Sequence, residues 1–211
     1  MRVTILGATG GTGQILVNKA LVKGYEVTVL ARDPSKVSPR TNLTIEKGDS
    51  LNLADVKRAV AGSQVVLTAL GGRDLKASTL LEESAKNIVS AMEELGVKRL
   101  IVLGASGALH DSMKHQTSGR KLFFWIIRNT LLKHPMRDSG NQERIVEAST
   151  LDYTIVHPPR LIDAPEVGSY RVALDGLPAA GRQISRADVA EFMICQVESN
   201  EFVRQGPYLS L

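Results

Sequence analysis

Short runs of β-branched and other apolar residues alternate along this chain with longer stretches in which apolar positions recur every three or four residues. The short runs fall at residues 3–6, 26–31, 43–46, 65–70 and 99–103 and predict strands. Between them the spacing predicts helices. The clearest covers 78–95, where Leu80, Leu81, Ala85, Ile88, Val89, Met92 and Leu95 share a face and Gly96 supplies the stop. Another opens in the glycine-rich stretch 7–13 and ends at Gly24, and Asn52 is placed to cap a third over 53–61. Strict alternation of strand and helix builds a parallel sheet with helices on both faces, because each parallel pair needs a right-handed crossover. The 211 residues are therefore read as a single domain of α/β class, a doubly wound parallel sheet with its ligand crevice beyond the carboxyl ends of the strands. The second half is less regular: helices over 121–133 and 141–149, a strand at 153–156, a loop rich in proline and glycine, and a capping-box start at Ser185 to Asp188 for a helix reaching 198. Residues 208–210 are expected to add an edge strand.

Gly7, Gly10 and Gly13 lie three apart at the junction of the first strand and first helix. There, a first glycine permits a tight turn, a second lets the backbone approach a pyrophosphate, and a third lets the helix pack against the strand. N–H groups at the helix start, Gly11 among them, and the hydroxyls of Thr9 and Thr12 are expected to hold the phosphates. A strand before and an amphipathic helix after separate this pattern from a glycine turn with no ligand. The fold expected is of Rossmann type, binding a dinucleotide.

The end of the second strand selects the nucleotide by charge. An acid there accepts hydrogen bonds from a ribose 2′-hydroxyl and repels a 2′-phosphate. Here Arg32 supplies a planar cation, Ser35 a hydroxyl and Lys36 a second charge, which favours NADP(H). Asp33 keeps NAD open, since a carboxylate about 20 residues beyond the motif can serve a 2′-hydroxyl if it turns inward. Topology places Asp49 and Ser50 beside the adenine, and Leu70, Gly71, Gly72 and Arg73 along the ribose and phosphates.

Composition alters this picture little. Hydrophobic residues make up 43% and charged residues 23%, ordinary values for a globular chain. The apolar run 122–127 is far shorter than the roughly 20 residues of a membrane span. No leader pattern opens the chain and its one cysteine, Cys195, has no disulfide partner, so a cytoplasmic protein is expected, with Cys195 structural on an apolar helix stripe. The net charge of +4 raises nucleic acid as a partner. The excess is concentrated, however, in Lys114, Arg120, Lys121, Arg128, Lys133 and Arg137, against Asp111 alone, so no nucleic acid is expected. That basic segment, 110–137, reads as a helical insertion and also holds the apolar run with Phe123, Phe124 and Trp125. It fits a lid, a partner surface or a peripheral contact with anionic lipid through 120–133; a core-facing helix is preferred because apolar helix residues are usually buried.

Taken together these residues resemble the atypical short-chain dehydrogenase/reductases, in the branch holding flavin reductase (biliverdin-IXβ reductase) and NmrA-like proteins. The resemblance rests on the glycine motif, residues 24–29, Arg32 with Asp33, Gly48 with Asp49, the Ala85 to Ile88 stretch, Tyr153 to Pro159, and Asp175 with Gly176 before Ile184 and Ser185. It implies an NADPH-binding core and hydride transfer to a small planar acceptor such as a flavin, bilin or quinone, in a monomer or weak homo-oligomer. The wider superfamily's Tyr-x-x-x-Lys pair is missing, since none of Tyr25, Tyr153, Tyr170 and Tyr208 has Lys four positions on. Flavin reductase-like members manage without it, taking the proton from solvent. Ser106 matches the family serine near the nicotinamide. His157 ends a strand next to Pro158, a cofactor contact, and its ring is expected to face the crevice as a catalytic candidate. Arg160 stands where flavin reductase has a histidine, so that histidine's acid role does not transfer. The alternative function is a non-enzymatic NADP(H) sensor or scaffold of NmrA-like kind.

Overall fold

In the first strand, β1 (Arg2–Leu6), Val3 and Ile5 belong to the hydrophobic core on one side of the sheet and Leu6 to the core on the other, all fully buried. Burial on both sides is what a central strand between two helical layers requires. Thr4, also fully buried, donates its hydroxyl to the carbonyl of Ala59 at 2.7 Å. The computed structural model describes residues 1–71, 75–106, 108 and 110–211, with His110 and Asp111 described in their backbone alone.

After β1 come α1 (Gly11–Val22), β2 (Glu26–Ala31), β3 (Leu43–Lys47), α2 (Leu53–Val60), β4 (Val65–Thr68), α3 (Leu80–Leu95) and β5 (Arg99–Leu103). They are followed by α4 (Ser118–Asn129), α5 (Lys133–Glu147) and β6 (Asp152–Val156). The six strands form one sheet in the order β3-β2-β1-β4-β5-β6, with every neighbouring pair parallel. The order reverses between β1 and β4, and at such a switch point two strand ends diverge and leave a crevice. On one face α1 packs with α6 (Arg186–Cys195) over Val3, Ile5, Leu16, Val189 and Met193. On the other, α2, α3 and α5 cover Leu6, Val56, Ile88, Met92 and Val146. The doubly wound parallel sheet expected from the sequence is the one observed. No helix among the described residues is long and apolar enough to cross a membrane.

At the start of the long α3 the N-cap Thr79 makes no side-chain bond, and Ser78 Oγ accepts only the first N–H, that of Leu80, at 3.0 Å. Asp138 reaches across from α5 instead: Oδ2 accepts from the Leu81 N–H at 3.1 Å and Oδ1 from the Glu82 N–H at 3.0 Å. Asp138 is 4% exposed, so water cannot replace it easily. Losing a cap costs about 1–2 kcal/mol, and Asp138→Ala is therefore expected to lower Tm by about 2–8 °C, with Asp138→Asn in between. An unchanged calorimetric melt for Asp138→Ala would remove this link between the helices.

The second half departs from the sequence reading in four places. The break expected between helices 121–133 and 141–149 lies earlier: α5 already starts at Lys133. Pro135 sits in its first turn, where a missing N–H has no intrahelical partner to lose. Within the proline- and glycine-rich loop, β7 (Arg160–Ile162) pairs with β9 (Gln183–Ser185), and β8 (Arg171–Ala173) pairs antiparallel with β10 (Tyr208–Ser210). β10 is thus not a ladder strand of the main sheet; it lies just past the end of β6, at the bridge from His157 to Tyr208. Cys195 is exposed, its thiol donating to Glu191 at 3.4 Å, while Phe192, Met193 and Ile194 form the buried stripe. Last, α4 has no buried residue, and the expected core-facing helix is instead a surface one.

Candidate functional site

The β1–α1 corner is set by glycine geometry. Gly7 has φ +85°, and a Cβ there would lie 2.5 Å from the carbonyl oxygen of Ala69 beyond β4. A Cβ on Gly13 would lie 2.0 Å from the Gly7 carbonyl oxygen, so α1 rests on the turn as closely as backbone allows. Gly10 is the N-cap of α1, in extended conformation and with no side-chain cap, and its N–H donates to Gly7 O at 3.0 Å. The first-turn N–H groups of α1 thus start at a corner where no side chain caps them.

That corner is one wall of a cleft of ≈ 220 Å³ at the carboxyl ends of β1 to β4. Gly7, Thr9 and Gly10 line it from β1–α1; Arg32, Asp33 and Lys36 from the end of β2; Asp49 and Ser50 from β3; Leu70 and Gly71 from β4. Elements distant in sequence meet here because the sheet brings four strand ends side by side. Of the other residues singled out from the sequence, Gly11 is exposed at the first turn of α1, and Thr12 and Gly13 are buried behind the cleft wall. Gly72 and Arg73 lie outside the described residues. Ser35 stands just off the cleft, where its hydroxyl donates to Asp33 Oδ1 at 2.6 Å and its N–H to the same oxygen at 3.2 Å.

Electrostatics at the end of β2 follow from that turn. The Ser35 hydroxyl holds the Asp33 carboxyl below the ordinary aspartate range, with Lys36 adding to the effect from 3.4 Å. Asp33 is thereby committed to its own turn. Arg32, exposed and on the cleft wall, has no hydrogen bond or ion pair with a described residue.

The floor at β3 depends on residues the sequence reading did not assign. Asp55 of α2 accepts the Asp49 N–H at 2.9 Å. From α3, Ser84 donates to the Ser50 hydroxyl at 2.8 Å and the Asn87 amide donates to the Ser50 carbonyl at 2.9 Å. Asn87 lies in the Ala85 to Ile88 stretch, a helix position that carries an amide amid apolar neighbours, which is the signal that could have found it. Arg186 opens α6 and lies across Gly11, with its Cδ and Nε 3.0 Å from where a Cβ would stand, and it pairs with Asp163 at 2.8 Å. Nothing local in the sequence marks that approach.

At the ends of β5 and β6 the Ser106 N–H donates to the Pro158 carbonyl at 3.0 Å, so these two are neighbours on the crevice side of the sheet. His157 is different. Its ring is 2% exposed, stacked on Tyr208 with centroids 4.6 Å apart, with Nδ1 3.2 Å from Gly206 O and Nε2 3.3 Å from Glu143 Oε2. This corrects the expectation that it faces the crevice: the ring belongs to the interior between β6, α5 and β10, and no substrate reaches it there.

A family model described as NAD(P)H-binding matches residues 7–200. The chain belongs to that family. Its relatives include reductase pytE of Aspergillus terreus, 27% identical over 239 residues covering 90% of this chain and 89% of the relative. A solved Rossmann-fold NAD(P)-binding family protein from Shigella flexneri is 27% identical, with a TM-score of 0.77 over 99% of this chain and 92% of that one. A short-chain dehydrogenase/reductase from Veillonella parvula, solved in complex with NADP, has a TM-score of 0.82 over 100% and 94% at 20% identity, a likeness of fold. The NAD(P)H-binding family's cofactor fits the corner described above. Its diphosphate needs N–H donors with no intervening Cβ, and its adenosine half needs a groove running from β1 past the ends of β2 and β3.

Proposed function

We propose that this protein is an NADPH-dependent reductase of a planar acceptor, such as a flavin, a bilin or a quinone. One observation carries the choice of NADPH: Asp33 is tied back by Ser35 and Lys36 while Arg32 stands on the cleft wall with no described partner. A 2′-phosphate meets a free guanidinium there, and a bare 2′-hydroxyl meets no free carboxylate.

Within this reading the Gly11 N–H at the start of α1 serves the diphosphate, Gly10 leaves room for its close approach while its own N–H closes the turn onto Gly7 O, and Thr9 stands beside them on the cleft. Arg32 and Lys36 take the 2′-phosphate, and Asp49 with Ser50 borders the adenine. Leu70 and Gly71 line the ribose side, and Ser106 and Pro158 flank the nicotinamide end. NADPH supplies a hydride when bound, and catalysis by the protein is chiefly positioning. His157 is buried and the Tyr-x-x-x-Lys pair is missing, so no described side chain is assigned as proton donor. A conjugated acceptor suits such a site, because the anion left by hydride addition is delocalised and takes its proton from water.

The same two observations favour, as second reading, a non-enzymatic NADP(H) sensor. Steady-state oxidation of NADPH with FMN, biliverdin and a soluble quinone separates the two. A saturable acceleration by at least one acceptor is expected; tight NADPH binding with no acceleration by any of them gives the sensor reading.

A further inference from the structure

The helix α4 is turned inside out relative to an ordinary surface helix. Leu122 is 60% exposed, Phe123 65%, Trp125 62% and Ile126 47%, and Leu131 just beyond its end is 58% exposed. Its arginines go inward. Arg120 donates to Gln116 and to the Gly181 carbonyl, and Arg128 to the Ala108 carbonyl at 3.2 Å. Two guanidiniums thus secure the helix to backbone oxygens from below and hold its apolar side toward solvent. Four large side chains within about one and a half turns share one side of the helix, and an apolar patch held open by specific hydrogen bonds marks a contact surface.

Charge says what the contact is. From Ser112 to Arg137 there are six Lys and Arg and no Asp or Glu. Lys114 is drawn to Asp175 at 3.4 Å, but Lys121 on α4 itself is exposed, as is Lys133 at the start of α5. Exposed Trp, Phe, Leu and Ile rimmed by cations match the boundary between acyl chains and anionic headgroups, where apolar side chains enter and lysines meet phosphates. A protein partner of equal fit would have to present an acidic rim around an apolar centre, whereas an anionic bilayer presents both everywhere on its surface.

We propose that α4 is an interfacial membrane-binding helix, by which the protein docks reversibly on anionic bilayers with Leu122, Phe123, Trp125 and Ile126 entering the headgroup region. This is independent of the reductase reading, and its test involves no nucleotide. The reporter is built in, because Trp125 is the chain's one tryptophan. Mixing the protein with vesicles of phosphatidylglycerol and phosphatidylcholine is expected to shift Trp125 emission to the blue and to sediment the protein with the lipid. The partition constant should exceed that for pure phosphatidylcholine at least about tenfold, and added salt should weaken it. The variant Phe123→Asp with Ile126→Asp touches only exposed positions, so it should keep the wild-type melt and lose binding at least about tenfold. Lys121→Glu with Lys133→Glu should lose only the preference for anionic lipid. Absence of both the blue shift and sedimentation with anionic vesicles overturns the proposal, as does equal binding to both vesicle types. A dimer in sedimentation equilibrium, broken by the double Asp variant and indifferent to lipid, also overturns it and assigns the face to a second copy.

Discussion

Arg32→Ala is expected to weaken NADPH binding by about 10- to 100-fold and to leave NADH binding within about threefold of the wild type. The magnitude follows from charge-assisted hydrogen bonds to a phosphate, about 1.5–3 kcal/mol, and the exposure of Arg32 puts the result toward the lower end. The selectivity follows from what the substitution leaves alone: in the proposed binding mode the glycine corner, Asp49 and Ser50 contact parts that both nucleotides share. Lys36 stays beside the phosphate but is shared with Asp33 at 3.4 Å, so it compensates only in part. Calorimetric titration of both nucleotides at physiological salt measures the two losses. Equal losses would sink the assignment of the 2′-phosphate to Arg32. A large NADH loss in Asp33→Ala would turn the preference around, because it would mean that the carboxylate leaves Ser35 to hold a ribose hydroxyl.

The strands and the glycine corner were legible in the sequence because their causes are local. The sequence bounds 26–31 and 99–103 are those of β2 and β5, where β-branched runs end abruptly against polar or glycine residues. What failed needed tertiary information. Strands β7, β8 and β9 have three residues each, too few to show a period, and exist through the strands they pair with. The apolar residues of α4 show helical spacing, but spacing cannot tell which side the core lies on, and the usual burial of such residues pointed the wrong way. His157 was readable in hindsight. Tyr153 and Ile155 share one face of β6, His157 follows in the same alternation just past its end, and Tyr153 and Ile155 belong to the core shared with α3 and α5. Parity alone sends the ring of His157 toward Glu143. That Asp49, Ser50, Leu70 and Gly71 line one cleft follows from topology, because they lie at strand ends that meet whatever the loop sequences are. The second layer of that cleft, Asp55, Ser84 and Asn87, was hidden because helix side chains are matched to loop atoms only once the chain is folded.

Gly13→Ala carries the largest expected effect on the corner itself. Its added methyl carbon would stand 2.0 Å from the Gly7 oxygen and 2.7 Å from the Gly7 carbon, which are backbone atoms with no rotamer to move into. Either α1 lifts from β1 or the Gly7 turn shifts. The first unpacks Leu16 and Val17 from the core, and the second moves the N–H groups proposed to hold the diphosphate. Overpacking of this kind costs about 1–3 kcal/mol and at a backbone contact falls toward the upper end, so Tm should drop by about 5–10 °C. Gly11→Ala is the informative comparison, two residues earlier in the same turn. Its methyl would meet the Cδ and Nε of Arg186 at 3.0 Å, the far part of a flexible side chain that can rotate away. Its Tm should stay within about 2 °C of the wild type. Dinucleotide affinity should fall with Tm in Gly13→Ala for both NADH and NADPH, unlike the one-sided loss in Arg32→Ala. Gly13→Ala with wild-type melting and unchanged affinity would show that the helix does not rest on the turn at all, and the cradle would have to be sought elsewhere along the strand ends.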